Sequence, residues 1–274
     1  MRSLTRLADW RARYRRLTAA GVTRTSAVLL PAWRRAPGLR RNQLKLTSGE
    51  VFVTGRDDRL VMMFDEIWAK EAYLPGDWTG PPAPVVVDIG ANVGVFAVWA
   101  ARRLGAARIV AVEPSPPTAA RLRRNLERNR TSGATVLQAA VGARTAEAVL
   151  YRRGQPSLST LYEQDVYGSS FSPEARVRVV TLGEIFEEEG IDGCDLLKLD
   201  CEGAEYEILF AAGRDTLDRI RHIVGEYHEG LTPHRPMDLF EFLESHGFST
   251  TRFAPLDEEG GVFHATRRSR ARDG

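Results

Sequence analysis

A chain of 274 residues, 43% hydrophobic and 27% charged, has the size and composition of one globular domain with a short appendage, which excludes a wholly disordered or fibrous protein. The formal charge of +2 hides a partition: eleven arginines face one acid, Asp9, over residues 1–41, and four arginines face Asp273 over 267–274. The body between them is acidic, which argues against a nucleic-acid partner, and its apolar runs fall far short of the roughly 20 residues of a membrane-spanning helix.

Leu4, Leu7, Arg11, Tyr14 and Leu17 recur at three- and four-residue steps, which predicts an amphipathic helix with an arginine-rich outer face. It reads as a helix packed on the domain edge or closing a site, with an acidic-partner docking arm or an organelle transit peptide as alternatives. Pro31, Pro37 and Gly38 break the pattern. Leu44-Lys45-Leu46 and Val51-Phe52-Val53, joined by Thr47-Ser48-Gly49-Glu50, predict a β-hairpin. A helical stripe follows over 59–73 (Leu60, Met63, Phe64, Ile67, Trp68), then a stiff run from Pro75 to Pro84. The expected organisation is a basic helical arm at 1–41, a hairpin-and-helix extension at 42–84, a main domain at 85–267 and a basic tail at 268–274.

From Val85 short apolar runs alternate with amphipathic helices, the pattern of a parallel sheet covered on both faces. Strands are expected at 85–89, 108–112, 135–139, 195–199 and 221–228, and helices near 94–104, 116–129, 181–189, 203–212 and 236–246. The stretch 146–180 breaks the rhythm and reads as a long functional loop. Phe248–Phe253 and Val262–Ala265 read as an antiparallel hairpin at a sheet edge. The two cysteines, Cys194 and Cys201, show neither a metal-ligand spacing nor a disulfide framework, so a reduced, cytoplasmic setting is expected.

Chemistry concentrates at two strand ends. The first strand runs into Asp88-Ile89-Gly90-Ala91-Asn92-Val93-Gly94, whose glycines permit a tight strand-to-helix turn and close approach of backbone to a ligand. Glu113 closes the next strand, where a carboxylate accepts hydrogen bonds from ribose hydroxyls. These features fit either a nicotinamide cofactor or S-adenosylmethionine. Asp88 favours the second, because a carboxylate there repels a pyrophosphate and attracts the ammonium of a methionine moiety. A purely structural role for Asp88, capping the next helix, is the alternative.

The second cluster is Lys198-Leu199-Asp200-Cys201-Glu202-Gly203-Ala204-Glu205. Together with Val87 to Gly94, Val112-Glu113-Pro114, Asn125-Leu126 with Asn129, and Ala140-Val141-Gly142, it resembles the FkbM family of S-adenosylmethionine-dependent methyltransferases, over about 85–265. The resemblance implies an α/β, Rossmann-like class I methyltransferase fold: a seven-stranded, mostly parallel sheet with an antiparallel C-terminal hairpin, here preceded by the N-terminal helical and hairpin extension. It implies that Gly90, Asn92 and Gly94 shape the turn around the methionine portion, with Asp88 beside it, and that Glu113 and Pro114 border the ribose. Ala140 and Val141 border the adenine, with Gln138 the nearest polar side chain, and Asp200 and Glu202 lie beside the methyl-transfer point.

A bound sulfonium is an activated methyl donor, so the protein must chiefly orient a nucleophile, worth about 7–11 kcal/mol in favourable systems. An aliphatic hydroxyl also needs a base, worth about 10²–10⁴-fold. His228 is the candidate, because Val224, Glu226 and His228 share one strand face and the strand end opens on the same rim as Asp200. Glu226 is placed to orient it, so His228, Asp200 and Glu226 form the expected catalytic set. Asp200, Glu202, Glu226 and His228 also have the donor chemistry for a magnesium or manganese ion, although no metal motif is present. Cys201, between two acids, is no nucleophile, and Lys198 is expected to neutralise a buried acid.

Glu202, Tyr162 and Tyr167 are the expected acceptor contacts, with Tyr151 and Phe171 as further apolar wall. The function expected is methyl transfer to a hydroxyl of a small molecule, a natural product or sugar-containing metabolite, by a chain that spans no membrane, with a homo-oligomer left open. A cofactor-binding but catalytically silent partner subunit and a nicotinamide-dependent oxidoreductase are the alternatives.

Overall fold

The structure is a computed structural model that describes residues 2–33, 43–55, 59–76, 78–152, 159–257 and 260–268. Three central strands, β3 (Val85–Ile89), β4 (Arg108–Val112) and β10 (Cys194–Leu199), are apolar at almost every position because both faces of the sheet are covered. Alternate residues feed two cores: Val87, Ile89, Val110 and Val112 face one, and Val86, Ile109 and Ala111 the other. With β5 (Ala134–Leu137), β11 (Ile220–His228), β12 (Phe248–Asp257) and β13 (Gly260–Arg267), they form one sheet of order β12-β13-β11-β10-β3-β4-β5. Only β13 runs against the rest. It pairs with β11 on one side and β12 on the other, so the C-terminal hairpin is added at the β11 edge of the sheet as expected, with β12 outermost.

Strand order reverses between β3 and β10, and a ligand crevice is expected outside the carboxyl ends of strands at such a point. One face is covered by α6 (Leu182–Glu188), α7 (Glu205–Ala211), α8 (Arg214–Asp218) and α9 (Pro236–Ser245). The other is covered by α4 (Val95–Trp99), whose last turn widens into a π-turn over Ala100–Leu104, and α5 (Pro116–Arg128). Among the described residues no helix is long and apolar enough to cross a membrane.

The described part of the N-terminal region is helical and packs on the domain. It folds as α1 (Arg2–Ala19) and α2 (Arg24–Trp33), parted at Gly21 (φ +91°), and α2 continues two residues past Pro31. Leu17, Val22 and Ala27 join the core that contains α4, and Arg16 pairs with the buried Asp65. The expected hairpin forms as β1 (Gln43–Lys45) and β2 (Val51–Val53). Asn125 of α5 and Asn129 at its C-cap take the place of a third strand. Asn125 accepts from the Val53 N–H at 2.7 Å and donates to the Val53 carbonyl at 3.0 Å, and Asn129 does the same for Val51 at 2.9 and 3.0 Å. Their i, i+4 spacing matches alternate residues of β2, which explains the chemistry demanded at both positions.

The stretch 146–180 is mostly not loop. β7 (Ala146–Arg152), β8 (Ser159–Thr160) and β9 (Ser172–Val180) pair with β6 (Ala140–Val141) in a second sheet of order β6-β9-β7-β8. Val177 and Val179 point inward while Arg176 and Arg178 alternate outward. That half-buried period-two pattern is masked by the arginines and by Pro173. Helix α3 (Leu60–Phe64), continued by a π-turn over Asp65–Ala69, brings the extension to the crevice.

Candidate active site at the carboxyl ends of the strands

A cavity of about 420 Å³ opens at the carboxyl ends of β3, β4, β10 and β11, within the usual range for small-molecule sites. Its lining includes Gly90, Asn92, Glu113, Pro114, Ala140 and Val141, and also Arg59, Met62, Met63 and Glu66. Asp200, Glu202, Glu226 and His228 line it as well.

Gly90 makes the bend after β3 possible. Its φ is +75°, and a Cβ there would lie 1.8 Å from the Asp200 carbonyl oxygen, so the bend packs directly on the exit of β10. Asn92 also has a positive φ, 50°. Its backbone N–H donates to Glu113 Oε2 at 3.0 Å, and the Ser115 N–H donates to Oε1 at 2.9 Å. Burial nevertheless pushes the Glu113 carboxyl up to about 7, against these two donors. The Asn92 side-chain oxygen is buried on the cavity wall with no hydrogen-bond partner among the described residues, an acceptor awaiting a donor. A glycine cradle, an orphan acceptor and a carboxylate held at the end of the second strand fit an adenosyl cofactor.

Several expected residues lie elsewhere. Asp88 is fully buried and outside the cavity lining. Its carboxylate faces Lys198 Nζ at 3.2 Å, so it is not free to meet a cofactor ammonium and does not select S-adenosylmethionine over a nicotinamide. Burial pushes its carboxyl up, opposed by Lys198. Gly94 (φ +88°) is a packing glycine, whose Cβ would strike Leu122 at 2.7 Å. Gln138 is exposed and turns to Arg123. Tyr167 is 86% exposed, and the Tyr162 hydroxyl donates to the Gly203 carbonyl at 3.4 Å, buttressing the turn after β10. Neither tyrosine lines the cavity. Leu150, Ser159 and Thr160 of the second sheet, with the adjoining Leu161, do so instead.

The chemistry centres on His228. Its Nδ1 lies 3.1 Å from Oε1 of the fully buried Glu205, and its Nε2 lies 3.7 Å from both Glu202 and Glu226. Glu205 is fixed in turn by the backbone N–H groups of Cys201 at 2.7 Å and Gly203 at 2.8 Å. Burial pushes the imidazole's pKa down, but Glu205, Glu202 and Glu226 outweigh it and hold the ring's pKa well above its usual 6.5. Burial pushes the Glu205 carboxyl up, and the His228 charge and the backbone donors more than reverse that. The Tyr73 hydroxyl donates to Glu226, whose carboxyl burial and the Asp200 charge push up to about 8. Glu66 is pushed up to about 7 by the same two causes. Burial and the surrounding acids push the Cys201 thiol well up, so it offers no thiolate nucleophile. Asp200, Glu226 and His228 each place one ligand atom within 4.8 Å of the other two.

The sequence pattern of the methyltransferase FkbM domain matches residues 88–250. The chain belongs to the FkbM family of S-adenosylmethionine-dependent methyltransferases. It is similar to the AMB antimetabolite synthetase AmbE of Pseudomonas aeruginosa, 28% identical over 81% of this chain but only 11% of AmbE. It is also similar to the 31-O-demethyl-FK506 methyltransferase FkbM of Streptomyces tacrolimicus, 27% identical over 75% of this chain and 88% of that one. The crystal structure of methyltransferase FkbM from Methylobacillus flagellatus KT superposes with a TM-score of 0.50 at 16% identity, over 69% of this chain and 45% of that one. That likeness bears on the fold alone. Against the family's domain, the extension that supplies Arg59, Met62, Met63, Glu66 and Tyr73 lies outside the matched span, so sequence reasoning built on the motifs alone did not reach these residues. Glu205 is different: it stands in the second motif, and only the packing of α7 under the end of β11 reveals its partner.

Proposed function

We propose that the chain transfers the methyl group of S-adenosylmethionine to a hydroxyl of a small molecule, a natural product or sugar-containing metabolite. The observation that carries this reading is His228 on the cavity wall beside Asp200, its Nδ1 held by the fully buried Glu205. When bound, the cofactor supplies a methyl group already activated by its sulfonium. Gly90, Asn92 and Glu113 would hold it, with Asp200 toward the transfer point. Glu205 accepts the proton on His228 Nδ1, which leaves Nε2 as the basic nitrogen facing the cavity. That nitrogen takes the hydroxyl proton of the acceptor as the new bond forms. Arg59, Met62, Met63 and Glu66 form the wall an acceptor would meet, and the name of the Streptomyces relative supports a hydroxyl acceptor.

The test is transfer of a labelled methyl group from S-adenosylmethionine onto fractionated small molecules, with His228→Ala as control. The variant is expected to lose about 10²–10⁴-fold in turnover while keeping its affinity for S-adenosylhomocysteine. Wild-type turnover in the variant rejects His228 as base. A second reading is favoured by the Asp200, Glu226 and His228 geometry: a divalent cation held there would acidify the acceptor hydroxyl. Loss of activity on dialysis against EDTA, restored by magnesium or manganese, supports the cation, and full activity after dialysis rejects it.

A further inference from the structure

We infer that Lys198 is a positioning residue of this site, its ammonium tying the glycine bend of β3 to Asp200 and so holding that carboxylate toward the sulfonium end of the cofactor. The inference deepens the proposed function and rests on it. Lys198 stands directly across the parallel ladder from Asp88, and its side chain is 3% exposed. Its Nζ lies 3.2 Å from Asp88 Oδ1 and 3.6 Å from Asp200 Oδ2, and it donates to the carbonyls of Gly90 at 2.9 Å and Ile89 at 3.4 Å.

Asp88 alone satisfies the need of a buried ammonium for a counter-charge, and an apolar pair of similar volume would fill the same space without the cost of desolvating two ions. The Gly90 and Ile89 carbonyls supply its hydrogen bonds, and neither need accounts for the approach to Asp200. Those contacts reach the two elements that meet in the cavity, the carbonyl of the bend and the carboxylate after β10. The ring of Tyr73 lies 5.9 Å from Nζ and covers the ammonium further. Asp200 is 30% exposed on the cavity wall, and the anchored oxygen restricts a side chain otherwise free to turn toward solvent.

Asp88→Asn/Lys198→Met removes both buried charges together and strands neither, while the Gly90 carbonyl loses its donor and Asp200 its ion pair. Affinities of the full chain for S-adenosylmethionine and S-adenosylhomocysteine are measured by calorimetry. The two ligands differ by one methyl group and its positive charge, so the ratio of their Kd values reads the negative charge aimed at that point, whereas a general loosening of the fold weakens both alike. The expected result is a shift of the ratio against S-adenosylmethionine by about five-fold or more, with the unfolding midpoint retained.

A wild-type ratio in the folded double variant overturns the assignment. If that variant does not fold, Asp88→Asn/Lys198→Gln, which fills the site with a neutral amide pair, carries the same comparison. Failure of both to fold while Asp88→Asn alone folds shows that Lys198 serves only the fold, and overturns the assignment too. Failure of the wild type to bind either ligand strikes the proposed function instead, so the two failures are told apart.

Discussion

Substituting alanine for Gly90 puts the cradle under direct strain. The added Cβ would lie 1.8 Å from the Asp200 carbonyl oxygen and 2.8 Å from its carbonyl carbon, both backbone atoms, so no flexible side chain can swing aside. The left-handed conformation at φ +75° costs a residue with a Cβ about 1–2 kcal/mol. Relieving the clash parts the ends of β3 and β10. The bonds between them are Asp200 N–H to the Ile89 carbonyl at 3.1 Å and Lys198 Nζ to the Gly90 carbonyl at 2.9 Å, worth about 0.5–1.5 and about 1.5–3 kcal/mol.

Gly90→Ala is therefore expected to destabilise the fold by about 3–6 kcal/mol. A displacement on the order of 1 Å in a site costs about 10²-fold, and the affinity for S-adenosylhomocysteine is expected to fall by that factor. Guanidinium denaturation measures the first and calorimetry on the folded fraction the second. An unchanged midpoint together with unchanged affinity would refute the reasoning.

Because the ring of His228 holds its proton above the usual 6.5, kcat/KM is expected to climb with pH above that value, as the free protein's base deprotonates. Glu205→Gln removes the strongest attraction on that proton, so the climb should move to lower pH, and an unmoved profile contradicts the assigned pair. The same raised pKa means that the ring's contribution to stability is full below 6.5 and fades as pH rises through the folded value, which pH-dependent unfolding of wild type against His228→Gln would read. Asn125→Ala removes the three bonds its amide makes to Val53 and Val93 and is expected to cost about 2–4 kcal/mol, read by denaturant unfolding; a loss within 0.5 kcal/mol, roughly the level of an inconsequential surface change, would contradict the strand-mimic account. Asp65 is pushed up by burial, but Arg16 and Lys70 lower it overall, so its contribution is present above 3.8 and lost as pH falls through the folded value. Arg16→Ala should flatten the acid side of the stability profile, and an identical profile would reject the link.

The parallel sheet was legible because strands covered on both faces are apolar without alternation, as in Val85-Val86-Val87 and Ile109 to Val112, and because the two acidic strand ends announce the crevice. What escaped needs contacts between distant segments. Asp88 and Lys198 become ladder neighbours only when β10 pairs with β3, 110 residues apart, so the sequence offered Asp88 as a ligand contact when it is already neutralised. Helix α8 has five residues, too few for a period to be read. Tyr162 and Tyr167 carry no local signal for the side to which they turn. Glu205 was in view within its motif, yet its role depends on where the end of β11 places His228.

Calorimetric titration of the wild-type chain with S-adenosylhomocysteine, and separately with NAD, tests the central claim most directly. One site for the first, none for the second, and about ten-fold or greater loss in Glu113→Ala, on the scale of one charge-assisted hydrogen bond, is the predicted result. Binding of NAD, no binding of the adenosyl compound, or an affinity indifferent to Glu113 would contradict it.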